Sequence, residues 1–247
     1  KTQIIFTDTP GIHAEVTKMH EAMMKGVRQS IQKNDVILCL CDASREFGDE
    51  DQLVCDTIKE SKKPVILAVN KVDSVTMTEA RAMKMKYLKQ LGRRTPVIEV
   101  SALHGNRTDD LIGMITERLP EGPFLYPADQ MTDAFVRDIA EEVLRETFNE
   151  EVQKELPHSI AVQIERWREP DKKVKIDACV YVARDSQKGI LIGEGGRLVN
   201  RVIKVAREKI HKDLEQFIDL KIYVKVNKDW QNKKSFLKEL GIIDADK

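Results

Sequence analysis

"VILAVNKVD" (residues 65–73) runs through five apolar side chains and then sets Asn70, Lys71 and Asp73 at its end. A short continuous apolar run fits a strand covered on both faces, and such strands belong to parallel sheets. Three other runs share the shape: "IIFTD" (4–8), "VILCLCD" (36–42) and the shorter "VIEVS" (97–101). The segments between them carry helical spacing. Val16, Met19, Met23, Val27 and Ile31 form one stripe, and Leu53, Val54 and Ile58 form another. Thr76 followed by Glu79 reads as a capping box, and Leu111, Ile115 and Leu119 mark the face of a last helix. Strands alternating with helices predict an α/β, doubly wound sheet whose ligands sit at the carboxyl ends of its strands.

Near residue 120 the pattern breaks. "LPEGPFLYPADQ" (119–130) holds three prolines and a glycine, and residues 123–132 are the expected linker between domains 1–122 and 133–247. Beyond it, a helix over 133–151 precedes "IAVQIERW" (160–167) and "VKIDACVYV" (174–182), and "IDLKIYVKV" (218–226) closes the set. These runs alternate apolar and polar residues, which predicts strands with one wet face in a second, α+β domain.

A chain of 247 residues has room for two domains. Its 41 basic residues balance 41 acidic ones, so no global field marks it for nucleic acid and local charge must decide. Cys39 and Cys41 lie inside an apolar run, Cys55 and Cys179 are far away, and there is no CxxC pair. The four read as reduced core thiols, which implies the cytoplasm. No apolar stretch is long enough to span a membrane, and no signal peptide is recognisable.

The strand ends carry the chemistry. Guanine offers an N1–H and an exocyclic amino group side by side, a pair that one fixed carboxylate accepts and adenine cannot supply. Asp73 is the candidate reader, with Asn70 tying loops together, Lys71 laying its stem along the base and Val72 between them. "SAL" (Ser101, Ala102, Leu103) ends the next strand, and the Ala102 N–H is expected to reach guanine O6. "DTPGI" (Asp8, Thr9, Pro10, Gly11, Ile12) follows an apolar run as well. Asp8 is the candidate metal residue, holding Mg²⁺ through water, while the bare Gly11 backbone can approach a terminal phosphate. Plain turns also contain these residue types. The weight lies in three elements in the right order, each at a strand's end.

In "DTPG", "NKVD" and "SAL" the first half resembles the translation-factor class of GTPases. That resemblance implies GTP/GDP and Mg²⁺ as cofactors, and a phosphate-loop strand lying between the 4–8 and 36–42 strands. No G-x-x-x-x-G-K-[ST] occurs in these 247 residues. With no methionine at its start, the sequence reads as a piece of a longer chain, inactive alone as an enzyme; a degenerate, nucleotide-free domain is the alternative. Many small GTPases place a water-orienting Gln after the glycine of this motif; Ile12 can neither donate nor accept, so no residue here is assigned to catalysis and slow intrinsic hydrolysis is expected.

"KGILIGEGGRLVNRVIKVAREKIHKDL" (188–214) sets Gly193, Glu194, Gly195 and Gly196 before a helix with the stripe Val199, Val202, Ile203, Ala206, Ile210 and Leu214. Bare backbone at a helix N-terminus admits a phosphodiester. From Arg184 to Lys212 there are eight Lys or Arg against three acids, a concentrated net charge of plus five. Lys188, Arg197, Arg201 and Lys204 join the four loop residues as the RNA-binding candidates. A solvated helix face and a tight helix-helix turn are the plainer explanations. The element order resembles a type II KH domain, whose Gly-x-x-Gly loop clamps about four single-stranded nucleotides. Glu194 departs from the basic residue usual between those glycines, so Arg197 and Lys188 are expected to compensate. Trp167, Tyr181, Tyr223 and Trp230 are candidates equally for base stacking and for packing.

A GTPase half, a Pro-containing linker and a type II KH domain together resemble the bacterial Era family, down to "ERW" and "VKVNKDW" after the first and last strands of the second domain. The resemblance implies a monomeric GTP-switched factor that binds the 3′ end of small-subunit 16S rRNA during ribosome assembly. It further implies a cytoplasmic protein with weak peripheral contact at the inner membrane. The rivals are a double-GTPase factor with a KH-like end and a nucleotide-free RNA-binding module.

Overall fold

The structure is a computed structural model that describes residues 2–9, 11–12, 16–127, 135–152, 160–170 and 173–243. The chain divides into two compact units, Lys1–Pro127 and Ala128–Lys247.

In the first unit β1 (Ile37–Asp42), β2 (Val65–Asn70) and β3 (Val97–Glu99) form a parallel sheet in the order β1-β2-β3. Helices α1 (Lys18–Lys33), α2 (Asp49–Ser61), α3 (Met77–Leu91) and α4 (Thr108–Thr116) accompany it. The unbroken apolar run of β2 now has its cause. Leu67 and Val69 pack with Ile58, Met83 and Tyr87 on one face, while Ile66 and Ala68 pack with Ile98, Leu111 and Ile115 on the other. All four β2 residues are fully buried, and a side chain of Leu or Ile size contributes about 1.5–3 kcal/mol when so covered. The capping box at α3 forms as expected, with Thr76 Oγ1 accepting from the Glu79 N–H and Glu79 accepting from the Thr76 N–H. Helix α1 starts after its Thr17 cap and buries Met19, Met24 and Val27, so Val16 precedes the helix and stays exposed.

The expected strand at 4–8 does not join this sheet. Ile4 packs at the core cluster behind β2, but Ile5 and Phe6 are exposed and no ladder reaches β1. Strands need a hydrogen-bonded neighbour, and none stands beside residues 4–8 among those described.

In the second unit α5 (Val136–Glu151) leads to β4 (Ala161–Arg168) and β5 (Lys173–Val182). Then come α6 (Asp185–Ile192), α7 (Arg197–Leu214), β6 (Phe217–Val226) and α8 (Lys234–Glu239). The sheet order is β4-β5-β6, with β4 antiparallel and β6 parallel to the central β5. A parallel pair needs a crossover, and α6 and α7 supply it with the glycine loop at their junction. Ala140 and Leu144 of α5 and Ala206 and Ile210 of α7 cover Ile164, Val174, Ile176 and Ala178.

The one-wet-face expectation fails for half of β5, where Cys179 and Tyr181 are buried although they point away from that core. The segment after β6 covers them: Phe236 meets the Tyr181 ring edge-on with centroids 4.7 Å apart, and Trp230 is buried beside Phe236. A register shift between Ile164 and Arg166 keeps both Ile164 and Trp167 against the core and leaves Glu165 and Arg166 exposed. All four cysteines are free and buried; burial pushes the Cys41 thiol up to about 12.

Candidate functional site

Parallel register aligns the tips of β1, β2 and β3, with Asp42 opposite Asn70 and Val69 opposite Glu99. The chain leaves β2 sharply, because Lys71 adopts a left-handed φ of 63° and Val72–Ser74 forms a single tight turn. That turn presents Asp73 at the surface. Asp73 carries a carboxyl held below its usual range, chiefly by a hydrogen bond from the buried Ser101 hydroxyl, so it is ionised and acceptor-only. Val72 is half-buried and packs against the core cluster below.

Asn70 Oδ1 accepts from the Ala102 N–H at 3.0 Å, which ties the β2 tip to the loop after β3. The tie shows Asn70 joining two loops and gives the Ala102 N–H an acceptor within the protein. Ser101 and Asn106 close the loop by reciprocal backbone bonds of 3.2 and 3.0 Å, leaving Ala102 and Leu103 exposed. Lys71 Nζ lies 2.7 Å from Asp42 Oδ2. Partial burial opposes charge on Asp42, but hydrogen bonds from Lys71 and Ser44 outweigh it and bring its pKa to about 2.

Asp42 and His104 were missed from sequence. Asp42 ends "VILCLCD" as Asn70 ends "VILAVN", and placing the two runs in register would have found it. His104 Nε2 lies 3.9 Å from Asp73 Oδ2, a neighbour that only the turn over residues 102–105 creates.

The strand tips fit a guanine base: an ionised carboxylate, a lysine stem and a backbone donor stand at one sheet end. In the expected phosphate-facing segment Asp8, Thr9 and Gly11 are exposed, Ile12 is half-buried, and Asp8 Oδ1 accepts from the Thr9 N–H at 2.9 Å; with no ladder at 4–8 among the described residues, this segment does not follow a strand as expected. Pro10 lies outside the described residues. No group of three metal-ligating side chains exists among the described residues. One carboxylate such as Asp8 is nonetheless enough where Mg²⁺ takes its other ligands from nucleotide phosphates and water. Bound there, the ion would neutralise charge on the phosphates.

The glycine loop of the second unit is sharply defined. Gly193 caps α6 with φ 72° and ψ 171°, Gly195 has φ 59°, and Gly196 has φ 80° as the N-cap of α7. A Cβ on Gly193 would stand 2.9 Å from the Leu198 Cβ, whereas one on Gly195 meets nothing within 4 Å. Gly193 is thus required by packing, and Gly195 is open to a ligand. Beside the loop lies a groove of about 330 Å³ lined by Val152, Ile190, Leu198, Glu194, Arg197 and Arg201. Glu194 is 91% exposed and sits 3.8 Å from Arg197, itself 81% exposed, a solvated pair worth about 0–1 kcal/mol that frees Arg197 easily. Arg201 reaches Glu151 at 3.2 Å. Lys188 and Lys204 make no ion pair among the described residues. Of the four aromatics, Trp230 and Tyr181 are core, Trp167 packs against it and donates to Glu169, and Tyr223 is half exposed.

Comparison with known proteins agrees with this division. Residues 1–121 match the elongation factor Tu GTP binding domain and residues 155–231 match a KH domain. The chain is 37% identical to GTPase Era of Staphylococcus haemolyticus over 98% of its own length and 81% of that protein's. A crystal structure of an Aquifex aeolicus Era variant bound to GDP·AlF4⁻ is 32% identical with a TM-score of 0.86, covering 96% of this chain and 81% of that one. Era in complex with MgGDPNP and nucleotides 1506–1542 of 16S ribosomal RNA is 31% identical with a TM-score of 0.87, covering 96% and 80% of the two chains.

Proposed function

Because this chain belongs to the Era family of GTPases, with a GTPase domain followed by a KH domain, we propose that it serves small-subunit ribosome assembly as a GTP-switched, GTP-hydrolysing RNA-binding factor. Residues 1–122 act as the GTPase portion, 123–132 as linker and 133–247 as the KH domain. The observation that carries the reading is the β2 tip: a carboxylate kept ionised by Ser101, beside a loop that Asn70 fastens through Ala102.

In this reading Asp73 accepts the two guanine donors, the Lys71 stem covers the base, and the Ala102 N–H meets O6. Asp8 and Gly11 face the phosphates and Mg²⁺. Ile12 only walls the site, so water is oriented by a group other than residue 12. In the second domain the open backbone at Gly195 lets the phosphates of a single strand come close, while the Gly196 and Arg197 N–H groups hold the loop by donating to Gly193 O and Glu194 O. Arg197, Arg201, Lys188 and Lys204 add charge around it. The 3′ end of 16S rRNA is the strand we assign, supported by the relative solved with nucleotides 1506–1542. Among the described residues no helix is long and apolar enough to cross a membrane; we assign the protein to the cytoplasm as a monomer with weak peripheral membrane contact.

The deciding experiment measures binding of that RNA fragment to the native protein with GTP analogue or GDP present, alongside Gly195→Asp. Gly195 has open space and a φ that Asp tolerates, so the variant folds. Nucleotide-dependent RNA affinity that Gly195→Asp weakens supports the reading. RNA binding with no uptake of guanine nucleotide supports the second reading, a nucleotide-free module.

A further inference from the structure

The sheet of the second unit has an outer face, opposite α5 and α7, that the chain covers only in part. Trp230 and Phe236 close the end holding Tyr181. The other end stays open as a cleft of about 310 Å³ lined by Arg166, Arg168, Lys175, Asp177, Asp219 and Lys221, with Tyr223 at its edge. The bulge in β4 is what turns Arg166 and Arg168 outward together.

The charges there do not cancel. Arg166 lies 4.0 Å from Asp177 and Lys173 lies 3.1 Å from Asp219, which occupies both carboxylates. Arg168, Lys175 and Lys221 make no ion pair within 4 Å among the described residues, and all three are exposed. Arg168 and Lys175 are moreover cross-strand partners. Like charges placed directly opposite each other repel, so a sheet selected for stability alone would avoid this pair.

We propose that this open half of the sheet is a second RNA-binding surface, one that grips the sugar-phosphate backbone beyond the strand held at the glycine loop. Charge complementarity points to a polyanion, and guanidinium forks match phosphate oxygens two at a time. Sheets that read bases stack two or three of them on aromatic side chains; here Tyr223 alone is half exposed, so the contact is to backbone and indifferent to sequence. Membership of this face in a KH domain makes RNA the polyanion rather than a lipid surface. The inference rests on the proposed RNA-binding function of this domain.

The test compares the chain with its triple variant Arg168→Gln, Lys175→Gln, Lys221→Gln on two probes: the 16S fragment 1506–1542 and a single-stranded tetranucleotide. The variant should lose about tenfold in affinity for the fragment and lower its salt slope by about 2, three phosphate contacts at ~0.7 each. Tetranucleotide affinity should be unchanged, and thermal stability equal or higher because a repulsive pair is gone. Unchanged fragment affinity and slope overturn the proposal, as does a parallel loss on the tetranucleotide, which would mean an effect through the fold. Loss of binding to anionic vesicles with RNA binding intact overturns it in favour of a lipid surface. If the unaltered chain binds neither RNA, the domain's proposed function fails first.

Discussion

Replacing Gly193 and Gly195 separately by alanine should give opposite results, although both glycines belong to one loop and both have positive φ. Gly193, at φ 72° and ψ 171°, occupies a region essentially restricted to glycine. An alanine there costs about 1–3 kcal/mol in backbone strain. The new methyl also meets the Leu198 Cβ at 2.9 Å and its N at 3.0 Å, an overpacking that adds about 1–3 kcal/mol. Gly195, at φ 59° and ψ 21°, lies in the ordinary left-handed region with nothing near, so its alanine costs about 1–2 kcal/mol and no clash. The chain's two tryptophans, Trp167 and Trp230, both lie in the unit Ala128–Lys247, so tryptophan emission during urea unfolding reports on that unit. With a slope of about 1–3 kcal/mol per molar urea, the Gly193→Ala midpoint should fall about 1 M below that of Gly195→Ala. Coincident midpoints would refute the claim that Gly193 is held by packing against Leu198.

At the other site, Asp73→Asn in the native protein should cost guanine nucleotides at least about a hundredfold in affinity, from two charge-assisted bonds of about 1.5 kcal/mol or more each, and favour xanthine nucleotides; a competition assay showing retained guanine preference removes Asp73 as the reader. Ile12→Ala should leave GTP hydrolysis in place, and its abolition with nucleotide binding intact would show that this side chain does more than wall the site. Tyr87→Phe deletes the 2.6 Å bond from its hydroxyl to buried Asp51 and should destabilise the first unit by about 1.5–3 kcal/mol in calorimetry. Glu165 is held at about 2 by hydrogen bonds from the Cys179 thiol and Lys225, below its ordinary 4.5. Its contribution is therefore present above about pH 4.5 and lost as pH falls toward 2, and Glu165→Gln should flatten that part of the unfolding profile followed by tryptophan emission.

How far the sequence could be read depended on whether the signal was local. The β2 run, the Thr76 cap and the glycine loop each declare themselves within ten residues, and their structures follow the reading. Burial by distant chain does not declare itself. Cys179 and Tyr181 sit in an alternating strand that reads as half wet, and only Trp230 and Phe236, some fifty residues later, dry its outer side. Residues 4–8 have the composition of a strand but no adjacent ladder, and pairing is a property of two segments. At the site, Asp73 and Asn70 were legible because type and place coincide at a strand tip. The Asp42 partner of Lys71, the His104 neighbour of Asp73 and the acceptor of the Ala102 N–H all arise from register and loop closure between elements.

The parallel pairing of β5 with β6 bears on how the protein is made. An isolated β4–β5 hairpin is marginal, and the strand that completes the sheet emerges from the ribosome only after the whole α6–α7 crossover. The proposed RNA clamp therefore matures only once β6 has joined the sheet. A nascent chain halted before Phe217 would display the glycine loop without β6 beside β5, and the proposed clamp predicts that it binds RNA more weakly than the finished chain.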